Sequence, residues 1–339
     1  MNVAVVGVGK MGMLHAGIMN GFDDVNLCGM CDASKFLLGF AKNLTQVNAY
    51  TDYRKMLDKE KPDALLITTP VFLHIPMALE CVERGLPFFL EKPLSLKGEE
   101  SEELVQRIDE RNLVTMVGYM MRYSETFARA KQVIDSGALG EIITFSSTIY
   151  VAQLFKTGKG WRYSKEKSGG GVVMGQATHL IDLLGWYFGR VNYVSGHTRA
   201  YYSEEVEDFA HVHFEFENGT TGWMDSTWSK RHHRLLEISI EINAKNGNLT
   251  VNDDELKFFL DSPAGGYDDG WTIINKPDLF EGVEFDIGGP HFSRQDRAFV
   301  DAVKSNRQVE SNVKNAQAVQ KIVDAIYHSA EHHGEPIKI

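Results

Sequence analysis

The sequence predicts two domains, an α/β domain with a parallel, doubly wound sheet and an α+β domain with a mostly antiparallel sheet. Its 339 residues are long for one domain and sufficient for two. Apolar runs alternate with helical segments up to about residue 120, and longer β-branched and aromatic runs with few helices follow. We therefore expect a first domain over residues 1–120 and a second over 121–339, whose last helices pack back on the first domain.

The expected strands of the first domain are short apolar runs separated by helical segments. These strands are expected at residues 2–6, 25–31, 48–50, 64–67, 86–90 and 113–117. The helices are expected at residues 11–20, 34–43, from Asp52 onward, 75–84 and 99–111. Strands that alternate with helices predict a parallel sheet with helices on both faces.

The second domain contains longer strand patterns and only a few helices. Strand patterns occupy residues 141–151, 190–201, 206–217, 220–228 and 235–243, and helices are expected at 125–136, 172–188, 291–305 and 312–332. Asn218-Gly219 separates two of the strand patterns and is a strong signal for a hairpin turn. Such a pattern predicts an antiparallel sheet with helices on one face.

The charge balance of the chain excludes two classes of partner. Lys and Arg number 35 against 46 Asp and Glu, which gives a net charge of −11. A surface of this sign repels nucleic acid and anionic membranes. No apolar run reaches transmembrane length, and a strand pattern begins at Val3, so we expect neither a membrane span nor a signal peptide. With only three cysteines, a reducing cytoplasm is the expected location.

Two pairs of potential metal ligands are interpreted as structural. Cys28 and Cys31 form a C-x-x-C pattern inside an expected strand, where side chains three residues apart point to opposite faces. His211 and His213 share one face of a strand but lack an evident third ligand. We therefore expect no metal site.

The segment Gly7–Gly12 reads G-V-G-K-M-G and directly follows the first strand, which is the pattern of a dinucleotide-binding loop. Gly7 permits a tight turn, Gly9 admits the pyrophosphate and Gly12 lets the helix pack on the strand. Lys10 and Met11 begin that helix. Asp32 lies 20 positions past Gly12 at the end of the second strand, where a carboxylate binds the ribose hydroxyls and repels a 2′-phosphate. NAD is therefore favoured over NADP.

A lysine follows the fifth strand in the segment Glu91-Lys92-Pro93. In a dinucleotide-binding sheet this position lies near the nicotinamide, where an ammonium group can hold and polarise a substrate hydroxyl or carbonyl. Thr69 and Pro70 end the fourth strand at the same edge. His74 lies four residues beyond Pro70 and either caps or packs its helix or approaches the cofactor.

A glycine run, Gly169–Gly171, precedes an apolar helix that carries Gly175, His179 and Asp182. Glycines allow close approach of the backbone to a ligand. His179 can act as a general base or acid near neutral pH, with Asp182 one turn away to orient its ring. The alternative is a helix histidine that is satisfied by a partner in the core.

Together these motifs resemble those of the glucose–fructose oxidoreductase/inositol dehydrogenase (Gfo/Idh/MocA) family. The matching segments are Gly7–Gly12, Asp32, Thr69-Pro70 with His74, Glu91–Pro93, Gly169–Asp182, Phe292-Ser293, Phe299–Ala302 and Ala325–Ala330. The resemblance implies a Rossmann domain, an α+β domain with an open mixed sheet, and NAD(P)-dependent hydride transfer at a carbon–oxygen bond of a sugar, a cyclitol or a relative. It also implies that Lys92 is the catalytic lysine and His179 the active-site histidine.

The resemblance extends to a wider set of contacts. Expected cofactor contacts are Gly7, Gly9, Lys10, Met11, Gly12, Asp32, Thr69, Pro70, His74, Glu91, Lys92 and Arg122. Expected substrate contacts are Lys92, Tyr119, Trp161, Arg162, Gln176 and His179. Many members carry an aspartate where this chain has Gly175, and its absence weakens the interpretation as an inositol dehydrogenase. Either His179, with Lys92, manages the proton unaided, or Gln176 or a water fills the gap. A roomier site would also admit a larger glycosyl or nucleotide-sugar substrate. Trp161 and Arg162 contact either the substrate or a domain neighbour.

The expected function is NAD-dependent hydride transfer at a secondary alcohol of a sugar-like substrate, in a homodimer or homotetramer. Two alternatives remain open: a redox-assisted glycoside-processing enzyme that recycles its NAD, and a non-catalytic sensor of NAD or sugar. The basic run Lys230–Arg234 is either a solvated loop or subunit edge, or a clamp for phosphate or carboxylate.

Overall fold

The computed structural model describes residues 1–339 apart from the side chain of Leu44. The chain divides into two compact units. One unit contains Met1–Met120 and Gly282–Ala318, and the other contains Met121–Glu281 and Val319–Ile339.

The elements follow one another in this order. The first are β1 (Asn2–Val6), α1 (Lys10–Gly21), β2 (Asn26–Cys31), α2 (Lys35–Thr45), β3 (Asn48–Tyr50), α3 (Tyr53–Glu60), β4 (Ala64–Ile67), α4 (His74–Arg84), β5 (Phe88–Leu90), α5 (Glu102–Arg111) and β6 (Thr115–Val117). There follow α6 (Glu125–Asp135), β7 (Ile142–Tyr150), α7 (Lys165–Ser168), α8 (Thr178–Phe188), β8 (Val191–Arg199), β9 (Phe209–Phe216), β10 (Thr221–Thr227) and β11 (Glu237–Ala244). The last are β12 (Gly247–Asn252), β13 (Glu255–Leu260), β14 (Gly270–Asn275), α9 (Lys276–Leu279), α10 (Pro290–Ser305), α11 (Val313–Glu331) and β15 (Ile337–Lys338).

The first unit contains a six-stranded sheet in the order β3-β2-β1-β4-β5-β6. All of its strand pairs are parallel. The strand order reverses between β1 and β4, and in sheets of this kind ligands bind outside the carboxyl ends of the strands at that point. The predicted parallel, doubly wound sheet is therefore confirmed.

The second unit contains a nine-stranded sheet in the order β14-β13-β12-β11-β7-β10-β9-β8-β15. Its pairs are antiparallel except for β7 with β10, which are parallel, so the predicted mostly antiparallel sheet is confirmed. Helix α6 packs on β12 and β13 and buries Phe127 and Val133 completely. The other face of the sheet carries exposed side chains.

The sequence prediction missed the three consecutive strands β12, β13 and β14. They are only six residues long, and β14 places Trp271 and Ile273 on its exposed side, with 61% and 59% exposure. Apolar residues on the solvent face hide the alternation by which a strand is recognised.

The helix expected at residues 172–188 begins with a π-helical turn, Val173–Ala177, and continues as α8. Such turns occur frequently at functional sites. No helix in the described part of the chain is long and apolar enough to cross a membrane.

Candidate functional site

The glycine-rich loop between β1 and α1 fits a dinucleotide pyrophosphate. Gly7 has φ +89°, and a Cβ there would lie 2.8 Å from the backbone of Thr68. A Cβ at Gly12 would lie 1.8 Å from the Gly7 carbonyl oxygen, so only glycine allows α1 to approach β1 this closely. Around Gly9, in contrast, no atom apart from those of its chain neighbours lies within 4 Å of the Cβ position, which leaves open space beside the backbone.

The N-terminus of α1 also favours a pyrophosphate electrostatically. Its first residues are Lys10, which is exposed, and Met11, which is half-buried, and the first turn carries no acidic residue. Unpaired backbone N–H groups and the helix dipole at such an end favour phosphate oxygens. Gly7, Gly9, Lys10, Met11 and Gly12 would therefore hold the pyrophosphate of NAD.

Asp32 follows β2 and is held by the backbone on both sides. Its Oδ2 accepts the Val8 N–H at 2.8 Å, and its Oδ1 accepts the Ser34 N–H at 2.7 Å. A carboxylate offers about four lone-pair sites, so each oxygen can accept one further hydrogen bond. This half-buried carboxylate fits two ribose hydroxyls and disfavours a 2′-phosphate.

The segment after β4 is joined to the segment after β5 by a histidine. The ring nitrogens of His74 lie 2.9 Å from the Thr69 carbonyl oxygen and 2.8 Å from the Pro93 carbonyl oxygen. Burial lowers the pKa of His74, although both carbonyls favour the proton. His74 therefore braces the two loops, the packing role that the sequence left open, and Thr69 and Pro70 stay half-buried beside it.

Lys92 lies at the carboxyl end of β5, next to the end of β4. The Glu91 N–H donates to the Ile67 carbonyl at 2.9 Å and extends the parallel pairing to this point. Lys92 is half-buried, and the Lys92–Pro93 peptide is cis. The Glu91 carboxylate lies inside the unit, 2.9 Å from His15 Nε2. If Glu91 contacts the cofactor, it therefore does so through its backbone.

In the second unit, a buried glutamate holds the glycine run that leads into α8. Glu207 accepts the N–H groups of Gly171 and Val173 at 2.8 and 2.9 Å and the Tyr327 hydroxyl at 2.8 Å. A Cβ at Gly171 would lie 1.8 Å from the Glu207 carbonyl oxygen. Burial raises the pKa of Glu207, and these hydrogen bonds oppose the rise.

His179 is the second residue of α8 and is 3% exposed. Asp182, which the sequence suggested as its orienting partner, makes a bidentate ion pair with Arg122, from Nε at 2.7 Å and from Nη2 at 2.6 Å. The Arg122 guanidinium also lies 5.4 Å from the Trp186 ring centroid. Arg122, an expected cofactor contact, is thus anchored in the second unit and only 8% exposed.

The position that lacks the family's aspartate borders an aromatic side chain. A Cβ at Gly175 would lie 3.4 Å from the Trp228 ring. Next to it, Gln176 Nε2 donates to Gln153 Oε1 at 3.0 Å. Trp228 therefore borders Gly175 and Gln153 binds its neighbour Gln176, and the sequence alone gave no indication of Trp228 or Gln153.

The remaining candidates are placed as follows. Tyr119 is buried at 2% exposure, whereas Trp161 is 36% exposed with the Arg162 guanidinium 5.4 Å from its ring centroid. Lys230 lies 4.7 Å from the Tyr150 ring centroid and lines an open cavity of about 330 Å³.

The cysteine and histidine pairs have ordinary structural surroundings. Burial raises the pKa of Cys28 to about 11 and that of Cys31 to about 12, which keeps both thiols protonated and unreactive. His211 pairs with Asp225, and His213 lies 2.7 Å from the Thr221 hydroxyl. Among the described residues, no group of three or more potential metal ligands comes together.

Comparison with known proteins identifies close relatives of this architecture. A levoglucosan dehydrogenase from Pseudarthrobacter phenanthrenivorans is 27% identical over 60% of this chain, and the match spans 59% of that protein, less than two thirds of its length. A scyllo-inositol 2-dehydrogenase (NAD(+)) from Bacillus subtilis is 26% identical over 73% of this chain and 72% of its own length. A solved levoglucosan dehydrogenase in complex with NADH and levoglucosan superposes with a TM-score of 0.88 at 23% identity, covering 100% of this chain and 99% of that one.

Two family models match the two parts of the chain in sequence order. Residues 1–119 match the oxidoreductase family with an NAD-binding Rossmann fold, in agreement with the glycine loop and Asp32. Residues 127–250 match the GFO/IDH/MocA C-terminal domain, which includes the glycine run and α8. The chain therefore belongs to the GFO/IDH/MocA family of NAD-binding oxidoreductases.

Proposed function

We propose that this protein is an NAD-dependent dehydrogenase that acts on a secondary alcohol of a sugar, a sugar derivative or a cyclitol. The observation that carries the proposal is the position of Lys92, half-buried at the carboxyl edge of the parallel sheet. That edge also holds the glycine loop after β1 and Thr69 after β4, which are the groups that fit the dinucleotide. A cation at this place is suited to an oxygen that gains or loses a proton during hydride transfer.

Lys92 and His179 have separate roles in this proposal. When bound, NAD⁺ supplies an acceptor for the hydride that leaves the alcohol carbon. The Lys92 ammonium donates a hydrogen bond to the reacting oxygen and stabilises its developing negative charge. His179 accepts the hydroxyl proton as general base. The alcohol thereby becomes a carbonyl, and the reverse reaction uses the same groups.

The two units divide this work. We assign cofactor binding to the first unit, through Asp32, the glycine loop and the segments that carry Thr69, Pro70 and Lys92. Substrate binding falls to the second unit, through His179, Gln176, Trp161 and Arg162. The similarity to a levoglucosan dehydrogenase and a scyllo-inositol 2-dehydrogenase supports a cyclic polyol or anhydrosugar as the substrate class. Because Gly175 has no side chain, Gln176 or a water binds the substrate hydroxyl in its place.

We further propose a cytoplasmic homo-oligomer, a dimer or tetramer. All three cysteines are free thiols, which suits a reducing compartment. One face of the nine-stranded sheet carries Trp223, Trp271 and Ile273 with 48%, 61% and 59% exposure. Trp223 lies on β10, and Trp271 and Ile273 lie on β14 at the edge of the sheet, so this face offers exposed apolar side chains at two places for contact with another subunit. Light scattering of the purified protein gives the oligomeric state directly.

The test is a screen for NADH absorbance with NAD⁺ and a panel of free sugars, anhydrosugars, sugar phosphates, nucleotide sugars and cyclitols. We expect NADH to accumulate with at least one cyclic polyol or anhydrosugar. The same panel is followed by mass spectrometry to detect products formed without net NADH. Product formed without net NADH would contradict a simple dehydrogenase and indicate an enzyme that recycles its cofactor. NAD binding without any product would indicate the sensor instead.

A further inference from the structure

Three ionisable side chains meet inside the first unit, and the proposed function uses none of them directly. His15 Nδ1 lies 2.9 Å from both carboxylate oxygens of Asp296, and His15 Nε2 lies 2.9 Å from Glu91 Oε1. His15 and Asp296 are 0% exposed, and Glu91 is 7% exposed. The histidine comes from α1, the glutamate from the segment after β5 and the aspartate from α10.

The surroundings of this triad, His15–Glu91–Asp296, are apolar. The His15 ring lies 4.9 Å from the Phe89 ring and 6.2 Å from the Phe292 ring, measured between centroids. A charged group at such a place is tolerated only when it is paired and hydrogen-bonded. Both ring nitrogens face carboxyl oxygens, and an imidazolium, which has two N–H donors, satisfies both contacts while the carboxylates are ionised.

The charge state follows from the same arrangement. Burial by itself lowers the pKa of His15, but the charges of Asp296 and Glu91 and their hydrogen bonds raise it to about 10. Glu91 and Asp296 are the charged groups that act on His15. With both carboxylates ionised, the triad carries a net charge of −1.

One end of the triad reaches the backbone of the candidate catalytic residue. The second oxygen of the glutamate, Glu91 Oε2, accepts the backbone N–H of Lys92 at 3.2 Å. The other side of the triad lies on α1, where His15 is three residues after Gly12 of the dinucleotide loop. An unbroken chain of hydrogen bonds thus runs from Asp296 through His15 and Glu91 to the Lys92 peptide.

We propose that His15, Glu91 and Asp296 are positioning residues that fix the Lys92 peptide relative to the dinucleotide-binding helix through this chain of charged hydrogen bonds. The proposal rests on the proposed function of Lys92 at the reacting oxygen. A displacement of about 1 Å at a reacting group can lower the rate about a hundredfold, so a brace of this kind acts on turnover. His15 touches neither substrate nor cofactor in this role.

The test uses four variants of the full-length protein. His15→Gln removes the cation and leaves two buried carboxylates, whereas His15→Gln with Asp296→Asn restores the net charge of −1. Glu91→Gln removes the charge of the group that contacts the Lys92 peptide. Met56→Ala is the control, because Met56 is 0% exposed in the same unit and its truncation opens a cavity without touching the triad.

Four readouts separate positioning from mere stability. Hydrogen–deuterium exchange reports protection of the peptide around Lys92, and ¹⁵N NMR of the histidine rings reports the charge of His15. Turnover and NADH affinity report function. For His15→Gln and Glu91→Gln we expect exchange at the Lys92 peptide to rise about tenfold. We expect kcat to fall about tenfold to a hundredfold while NADH affinity changes by less than about threefold.

The double variant is expected to recover part of the lost exchange protection and part of the lost turnover, and Met56→Ala is expected to lose neither. In the wild type, His15 is expected to remain an imidazolium at pH 8.5. Three results would overturn the proposal: unchanged exchange at the Lys92 peptide, losses in Met56→Ala equal to those in His15→Gln, or a His15 ring that is neutral at pH 8.5. Absence of turnover in the wild type would refute the proposed function, while the exchange and NMR results would still decide whether the triad holds the peptide.

Discussion

The two candidate catalytic residues are supported in different ways. In the first unit, Lys92 follows a glutamate that is held by an imidazolium and, through it, by a second carboxylate. In the second unit, the helix of His179 follows a glycine run, and the N–H groups of Gly171 and Val173 at its end donate to Glu207. The first support depends on charge, and the second depends mainly on the close fit of backbone to backbone.

This difference has consequences for pH and for mutation. A support that depends on a histidine charge weakens when the proton is lost, however well the side chains fit. A support that depends on the absence of a side chain is insensitive to pH but tolerates no added Cβ. The first unit should therefore be the more sensitive to pH, and the second unit the more sensitive to an added Cβ.

The largest effect is expected from Gly171→Ala. Its Cβ would meet the Glu207 carbonyl oxygen at 1.8 Å, so the backbone must shift, at a cost of about 3 kcal/mol or more. Gly185→Ala is the matched control, since Gly185 lies on α8 and no atom other than those of its chain neighbours and its own helix backbone lies within 4 Å of the Cβ position. The control should gain about 0.5–1 kcal/mol from its better helix propensity. Thermal unfolding measures both changes, and equal midpoints would contradict the close-fit account of the second unit.

A pH dependence of stability is expected from His15. Its pKa is raised from 6.5 to about 10, so its contribution is fully present below pH 6.5 and is lost as the pH rises through 10. The free energy of unfolding should fall by up to about 1.4 kcal/mol per pH unit over this window from this group alone. Burial also raises the pKa of Asp296, which gives a contribution of the same sign.

Urea unfolding of the wild type and of His15→Gln between pH 7 and 10.5 measures this contribution. The stability difference between the two proteins should shrink as the pH rises, because the stabilising proton of His15 is present only in the wild type and is lost as the pH approaches 10. A difference that is constant over this range would mean that His15 is neutral in the folded protein.

The smallest effect is expected from Glu207→Gln. Burial already disfavours the charge of this carboxyl, and glutamine keeps the shape and one acceptor oxygen. The expected loss is about 1–2 kcal/mol, from one impaired hydrogen bond to Gly171, Val173 or Tyr327. Glu204→Gln, at an exposed position, serves as the control with no measurable change in the unfolding midpoint. A loss as large as that of Gly171→Ala would show that charge also supports the second unit.

The sequence predicted the parts of the site that are local in the chain. The loop of Gly7, Gly9 and Gly12 can be recognised because its spacing, its strand and its helix lie within about twenty residues. The two sheets were likewise predicted from periodicity, except for β12, β13 and β14, which are only six residues each and of which β14 carries exposed apolar residues.

The triad could not be predicted in this way because its members are far apart in sequence. His15 and Glu91 are 76 positions apart, and His15 and Asp296 are 281 apart. The available signal was polar residues on otherwise apolar helix faces, such as Asp296 between Phe292 and Phe299. That signal shows that a partner is needed but does not identify it. Asp182 illustrates the same limit, since its spacing suggested His179 but gave no sign of its bidentate ion pair with Arg122, 60 positions away.

The central claim is that Lys92 acts on the reacting oxygen, and one pair of variants tests it directly. Lys92→Met and Lys97→Met remove the same charge five residues apart, and the Lys97 side chain is 68% exposed. With the best substrate of the screen, kcat should fall about a thousandfold in Lys92→Met and stay unchanged in Lys97→Met, while both bind NADH like the wild type. A Lys92→Met protein whose turnover stays close to that of Lys97→Met would contradict the account.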